Sequence, residues 1–184
     1  MPVHPPFDPT HLYFVTTSAV RRARLFRRDV VKRILVDSLD YMRAHRWLHL
    51  YAFVIMPNHV HLIVEFLEGH TLSDVVREFK KHTARQIVRQ YQAEDNDKVL
   101  AFLEQMAASI PRQRHKVWEY GYDARNVFSP DFLRQKMEYC HNNPCQPHWR
   151  LAQRPEQYPW SSARYYLTGK PAIIHVDDAR ELLV

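Results

Sequence analysis

Glycine is nearly missing from this chain: Gly69, Gly121 and Gly169 are the only three in 184 residues, where average usage of roughly 7% would give about a dozen. No two are near neighbours. That excludes the dinucleotide fingerprint and the P-loop, since each packs several glycines around one turn. Cysteine is as scarce. Cys140 and Cys145 flank an Asn-Asn-Pro turn, and a pair that close suits two reduced thiols better than a disulfide framework. Long apolar runs are lacking too. Residues 48–56 form the longest, nine residues that include His49, whereas a membrane-spanning helix needs about 20. Residues 1–6 show no basic segment followed by an apolar stretch, so a cytoplasmic protein without an export signal or membrane partner is expected.

What remains is ordinary in bulk. The chain is 46% hydrophobic and 25% charged, near the globular norm, and its length suffices for one domain spanning residues 1–184. Two features are less ordinary. Lys and Arg number 26 against 20 Asp and Glu, a formal net charge of +6, and there are 12 histidines. A basic balance favours a polyanionic partner.

Leu12-Tyr13-Phe14-Val15-Thr16-Thr17 predicts a first strand. Five arginines then crowd residues 21–28. Val31, Ile34, Leu35, Leu39 and Met42 recur at helical spacing and predict an amphipathic helix over 29–45. Residues 48–56 and 59–66 are strand-like, joined through Pro57-Asn58 as a hairpin. Capping residues at 71–74 open a second helix to about residue 91. On it Arg77, Lys81, Arg85 and Arg89 fall at successive i+4 positions, a positive stripe read as free of interleaved acid. Residues 93–116 read as a peripheral insertion and 117–120 as a last strand. A helix opens at Ser129-Pro130-Asp131 and stops at Asn143, because Pro144 disfavours helical geometry in the residue before it. About residues 150–184 form a C-terminal extension. This order predicts an α+β fold of the ferredoxin-like kind, an antiparallel sheet with helices packed on one face.

Chemistry concentrates in two places. Successive strand side chains alternate faces, so His59 and His61 project together while Val60 points away. Two neutral imidazoles side by side can ligate a divalent metal; the plain alternative is a pair of hydrogen-bonded surface histidines. On the later helix Leu133, Met137 and Cys140 form the buried stripe, with Phe132, Lys136, Tyr139 and Asn143 along its edge. A tyrosine hydroxyl beside an amide and a lysine suits a nucleophile or an acid/base group, and equally a packing tyrosine with its hydroxyl in water. The stripe Arg77, Lys81, Arg85, Arg89 and the cluster Arg21, Arg22, Arg24, Arg27, Arg28 can track a phosphate backbone, with Trp118, Tyr120 and Tyr122 available to stack bases.

Three segments in order, Met56-Pro57-Asn58-His59-Val60-His61-Leu62-Ile63-Val64, Tyr139-x-x-x-Asn143-Pro144 and Tyr158-Pro159-Trp160-Ser161-Ser162-Ala163, resemble the REP-associated tyrosine transposases of the HUH single-strand endonuclease/transposase superfamily. The resemblance covers about residues 11–91 and 117–166. It implies the HUH endonuclease architecture, Mg2+ or Mn2+ held by His59, His61 and Asn143, and Tyr139 as the residue that attacks single-stranded DNA. It also implies nicking and strand transfer at palindromic hairpin repeats through a 5′-phosphotyrosine. The chain departs from the family pattern at Cys145-Gln146-Pro147-His148-Trp149, where a small aliphatic residue and a basic, Gly-containing loop are usual. Two alternatives stand beside it. One is a noncatalytic single-strand or hairpin nucleic-acid binding module. The other is a metal hydrolase with water as nucleophile, disfavoured by the lack of a nearby His/Glu motif. A monomer and a homodimer with Tyr139 donated across subunits both remain open.

Overall fold

The computed structural model describes residue 8 and residues 10–183; residues 1–6, read above for an export signal, lie outside them. Strands β1 (Leu12–Ser18), β2 (Leu48–Ile55), β3 (His59–Phe66) and β4 (Asp123–Val127) form one antiparallel sheet in the order β2-β3-β1-β4. Helix α1 (Asp29–Ala44) joins β1 to β2, and α2 (Leu72–Ala93) follows β3. The succession β1-α1-β2-β3-α2-β4 is the ferredoxin-like α+β order that the residue pattern predicts. No helix among the described residues is long and apolar enough to cross a membrane.

Alternation along the strands divides the sheet into two faces. On one, Val15 and Thr17 of β1 and Leu62, Val64 and Phe66 of β3 meet Leu39 and Met42 of α1 and Val75, Val76 and Phe79 of α2. On the other, Phe14, Thr16 and Ser18 stand opposite Ile63, His61 and His59. The expectation of helices on one face is corrected here. Helix α4 (Pro130–Asn142) lies on the second face, where Tyr139 meets Phe14 and His61. Phe14 and Ile63 are apolar and need cover, and α4 supplies it with Leu133, Met137 and Cys140 buried.

The last strand is also relocated, from residues 117–120 to Asp123–Val127. Trp118 makes only an isolated bridge with Ala19. Its indole is instead buried against Phe26 and Phe79, and Nε1–H donates to Thr83 Oγ1 at 3.1 Å. An aromatic run has strand composition, but burial of the indole decides its place, while the polar edge strand Asp-Ala-Arg-Asn-Val has little β propensity to announce it. Within residues 93–116, α3 (Asp97–Ala107) packs on α2 and buries Leu103.

The C-terminal segment closes the outer edge of β2. Ile55 N–H donates to Trp160 O (2.9 Å) and the Tyr158 hydroxyl to Ile55 O (2.8 Å). Phe53 N–H donates to Ser162 Oγ, and Ser162 N–H to Phe53 O, each at 3.0 Å. Beyond the short helix α5 (Ala163–Thr168), Asp177 N–H donates to Leu50 O (2.8 Å) while its Oδ2 accepts Leu50 N–H (2.9 Å). The Tyr-Pro-Trp-Ser-Ser-Ala segment thus satisfies a strand edge that would otherwise be a template for pairing with other chains.

Two stability tests follow from this packing. The Tyr166 hydroxyl donates to Tyr51 O (2.7 Å) and accepts Ala179 N–H (3.0 Å). Tyr166→Phe leaves both partners without it and is expected to cost about 1–3 kcal/mol in urea denaturation. His141 is buried with Nε2 2.9 Å from Ser162 Oγ, and burial pushes its pKa from 6.5 to about 4. A depressed histidine pKa means that the fold holds the neutral ring. Its contribution is complete above pH 6.5 and is lost as pH falls toward 4, by at most about 1.4 kcal/mol per pH unit. His141→Gln is therefore expected to be less stable at pH 7 and to lose stability less steeply from pH 6.5 to 4.5; a slope equal to that of the unmodified chain would contradict it.

Candidate active site

The β1–β3 register sets His59 opposite Ser18 and His61 opposite Thr16, with the two imidazole centroids 4.6 Å apart. Each ring is anchored through Nδ1. His59 Nδ1–H donates to Asn58 Oδ1 at 2.6 Å, and Asn58 Nδ2 in turn donates to Arg22 O at 3.0 Å. An amide oxygen only accepts, so the proton sits on Nδ1 and Nε2 keeps its lone pair. His61 Nδ1 lies 2.8 Å from Thr16 Oγ1, and its ring stacks on Phe14 at 5.1 Å. Burial, and then the charges of Arg22 and His148, push His59 down to about 4. Burial first, then His59, Lys136 and Arg22, hold His61 well below the usual imidazole range. Both rings are neutral at pH 7, the form that ligates metal.

Helix α4 brings the second group. The Ser129 side chain accepts Phe132 N–H as N-cap, Pro130 opens the helix, and the buried stripe Leu133, Met137, Cys140 fixes its rotation. Tyr139 consequently lies on the edge, 50% exposed, its ring 5.3 Å from His61 and 6.0 Å from Phe14. A 3-10 turn, Asn143–Cys145, continues the helix and holds Asn143 buried one turn beyond Tyr139. His141 points the other way, toward Ser162.

These residues line an open cleft of about 620 Å3, with Arg22, Asn58, Asp123, Arg125, Lys136 and Trp149 among its other walls. Two of its buried polar atoms, His61 Nε2 and Asn143 Oδ1, have no hydrogen-bond partner among the described residues. In the tautomer where His61 Nδ1–H donates to Thr16 Oγ1, Nε2 carries a lone pair and a cation would satisfy both atoms, so the donor set of two imidazoles and an amide oxygen fits a divalent metal ion. Two further orphaned atoms, on Thr17 and Asn126, do not line the cleft. Among the described residues no group of three or more His, Cys, Asp and Glu could hold a metal, and Asn143 is an amide donor in the same cleft as the two histidines. A second cleft of about 610 Å3, between α1 and α2, carries Asp37, Glu78 and His82 and no paired imidazoles.

The arginine-rich turn is held against the hairpin by Ala19 N–H to Asn58 O and Phe26 N–H to Pro57 O, both 2.8 Å. Arg22 lines the cleft and the Arg24 guanidinium lies 5.4 Å over the Trp149 ring, whereas Arg21 is not among the lining residues and its backbone N–H donates to Glu119 Oε1. The α2 stripe is not brought to the cleft, because α2 packs on the opposite sheet face. It is not free of acid either. Arg77 pairs with Asp74 and Glu78, and Lys81 with Glu78, which leaves Arg85 and Arg89 exposed. Of the expected stacking aromatics, Trp118 is buried, and Tyr120, 98% exposed, and Tyr122 lie outside the cleft. Sequence reasoning missed Asp123 and Arg125, which enter because β4 pairs Thr16 with Asp123 and Phe14 with Arg125. It also missed His148 and Trp149, whose only signal was the departure at residues 145–149.

The family described as IS200-like transposase matches residues 9–105. Among solved structures, a REP-associated tyrosine transposase bound to a REP hairpin is similar at a TM-score of 0.63 and 18% identity, over 97% of this chain and 92% of that one. A crystal structure of a candidate transposase from Deinococcus radiodurans R1 is similar at a TM-score of 0.47 and 22% identity, over 77% of this chain and 97% of that one. No curated protein matches.

The donor set is tested by Mn2+ titration calorimetry at pH 7. One site is expected in the unmodified protein. His61→Gln is expected to weaken it by about tenfold or more, at least the loss seen when a ligand's supporting group is removed, and Tyr139→Phe to leave it in place. Equal Mn2+ binding by His61→Gln and the unmodified chain would remove His61 from the site.

Proposed function

The chain belongs to the IS200-like transposase family, and from that membership we propose that it nicks and rejoins single-stranded DNA at hairpin-forming repeats, with Tyr139 as nucleophile and a divalent metal as cofactor. One observation carries the reading. The half-exposed Tyr139 ring stands edge-on to His61, in the same cleft where His61 Nε2 and Asn143 Oδ1 are buried without partners. Tyr139, the two histidines and Asn143 line that one cleft, which supports a nucleophile and metal donors that act on the same phosphate. The structural relative bound to a REP hairpin supports a hairpin substrate.

In the proposed reaction the Tyr139 hydroxyl oxygen attacks the scissile phosphorus in line and the bond to the 3′ oxygen breaks. The 5′ phosphate stays on the tyrosine, and the proton lost by the phenol is balanced by one gained at the 3′-OH. Bound at His59, His61 and Asn143, Mg2+ or Mn2+ would offset the negative charge that builds on the phosphate oxygens. Asn58 and Thr16 orient the two imidazoles, and Arg22 adds positive charge to the wall. The phosphotyrosine keeps the energy of the broken phosphodiester. A second 3′-OH can therefore reverse the step without ATP, as strand transfer requires.

The test is a denaturing gel of end-labelled hairpin DNA, drawn from palindromes beside the gene, incubated with Mn2+ or EDTA. A covalent protein–DNA band is expected with Mn2+ alone and is expected to vanish in Tyr139→Phe. Binding without an adduct would support the noncatalytic module instead, and cleavage surviving Tyr139→Phe would mean a water nucleophile.

A further inference from the structure

The edge of α4 carries more than the nucleophile. Phe132, Lys136 and Tyr139 follow at helical steps of four and three, so the three stand in one row, and Phe128, just before the helix, joins its end by stacking on Phe132. Phe132 and Tyr139 are separated by about 10 Å of helix rise. Phe128 and Phe132 stack with centroids 5.2 Å apart and planes 16° from parallel. Phe128 is nonetheless 78% exposed, so one face of the pair is open to solvent and contributes little to the core. Between this pair and the nucleophile sits Lys136. Its Nζ lies 4.9 Å from the Phe132 ring centroid, 5.2 Å from that of Phe14 and 5.8 Å from that of Tyr139. Asp123, the acid whose charge acts on it, is paired with Arg125 at 3.7 Å, and Lys136 forms no ion pair among the described residues.

We propose that this edge is the track on which an unpaired DNA strand enters the cleft, with a base stacked on the Phe128–Phe132 pair and the adjoining phosphate held by Lys136. The proposal rests on the single-strand reading above and assigns the strand's path. Ring pair, cation and nucleophile in a row repeat the alternation of base and phosphate in a single strand. A duplex cannot use the ring pair, because its base faces are already covered by one another. A protein docked on the phenylalanines alone would leave Lys136 without a counter-ion. Continuity with the cleft, in which Lys136 and Tyr139 share a wall, favours the strand.

The experiment is fluorescence anisotropy with the full chain and two labelled probes, one hairpin carrying an unpaired flank and the same hairpin trimmed blunt. Phe128→Ala is expected to weaken the flanked probe by about tenfold, the scale of one base–aromatic stack, and to leave the blunt probe unchanged. Phe128→Trp is expected to restore the flanked affinity. Lys136→Gln is expected to lower the slope of log affinity against log salt by about 0.7, one single-strand phosphate contact. Equal affinity of Phe128→Ala and the unmodified chain for the flanked probe would overturn the track, as would an equal loss on both probes. An unchanged salt slope in Lys136→Gln would overturn the phosphate contact. If flank binding depends on Phe128 while no Tyr139 adduct forms, the track stands and the nucleophile assignment falls.

Discussion

The antiparallel pairing of β1 with β3 is the constraint on which the cleft depends. Side chains alternate with a period of two, so a slip of one residue would send His59 and His61 into the apolar layer beneath the sheet and bring Val60 and Leu62 to the cleft. The apolar layer resists that slip, since Val15, Leu62, Val64 and Phe66 fit against α1 and α2 only in the observed register. Neutrality of the imidazoles follows from the same pairing. It puts His61 beside Thr16 and Phe14 and buries both rings, and burial is the largest cause of their lowered pKa values.

Helix α4 serves the sheet as cover and the cleft as a wall. Its apolar stripe turns inward because Phe14 and Ile63 need a lid, and the 3.6-residue repeat then brings Lys136, Tyr139 and Asn143 to the rim. The lid is tied to the sheet by its far side. His141 meets Ser162, and Ser162 is bonded to Phe53 of β2. The Tyr-Pro-Trp-Ser-Ser-Ala segment therefore does two jobs, closing the open edge of β2 and fixing the helix that bears the proposed nucleophile.

Charge is distributed differently from what a count suggests. The four-residue basic stripe of α2 looks like the strongest anion-binding feature of the chain, yet acids one turn away neutralise half of it, and it faces away from the histidines. Fewer cations matter more at the cleft. Arg22 is brought in by the hydrogen bonds between the arginine-rich turn and the β2–β3 hairpin, and Lys136 by the rotation of α4. A net charge of +6 gives the sign of a partner and says nothing of where it sits.

Local pattern was enough for the elements whose signals are local. Periodicity alone places α1, α2 and the β2–β3 hairpin, alternation alone puts His59 and His61 on one side, and helical spacing alone puts Asn143 one turn beyond Tyr139. Tertiary structure decided the rest. Trp118 has strand composition, but the space between Phe26 and Phe79 claims its indole, so the last strand falls to a polar segment that brings Asp123 and Arg125 into the cleft. Which sheet face α4 covers, and so whether Tyr139 meets the histidines at all, depends on apolar surface left uncovered by α1 and α2. That surface exists only once the strands have paired, which is why no window of the sequence contains it.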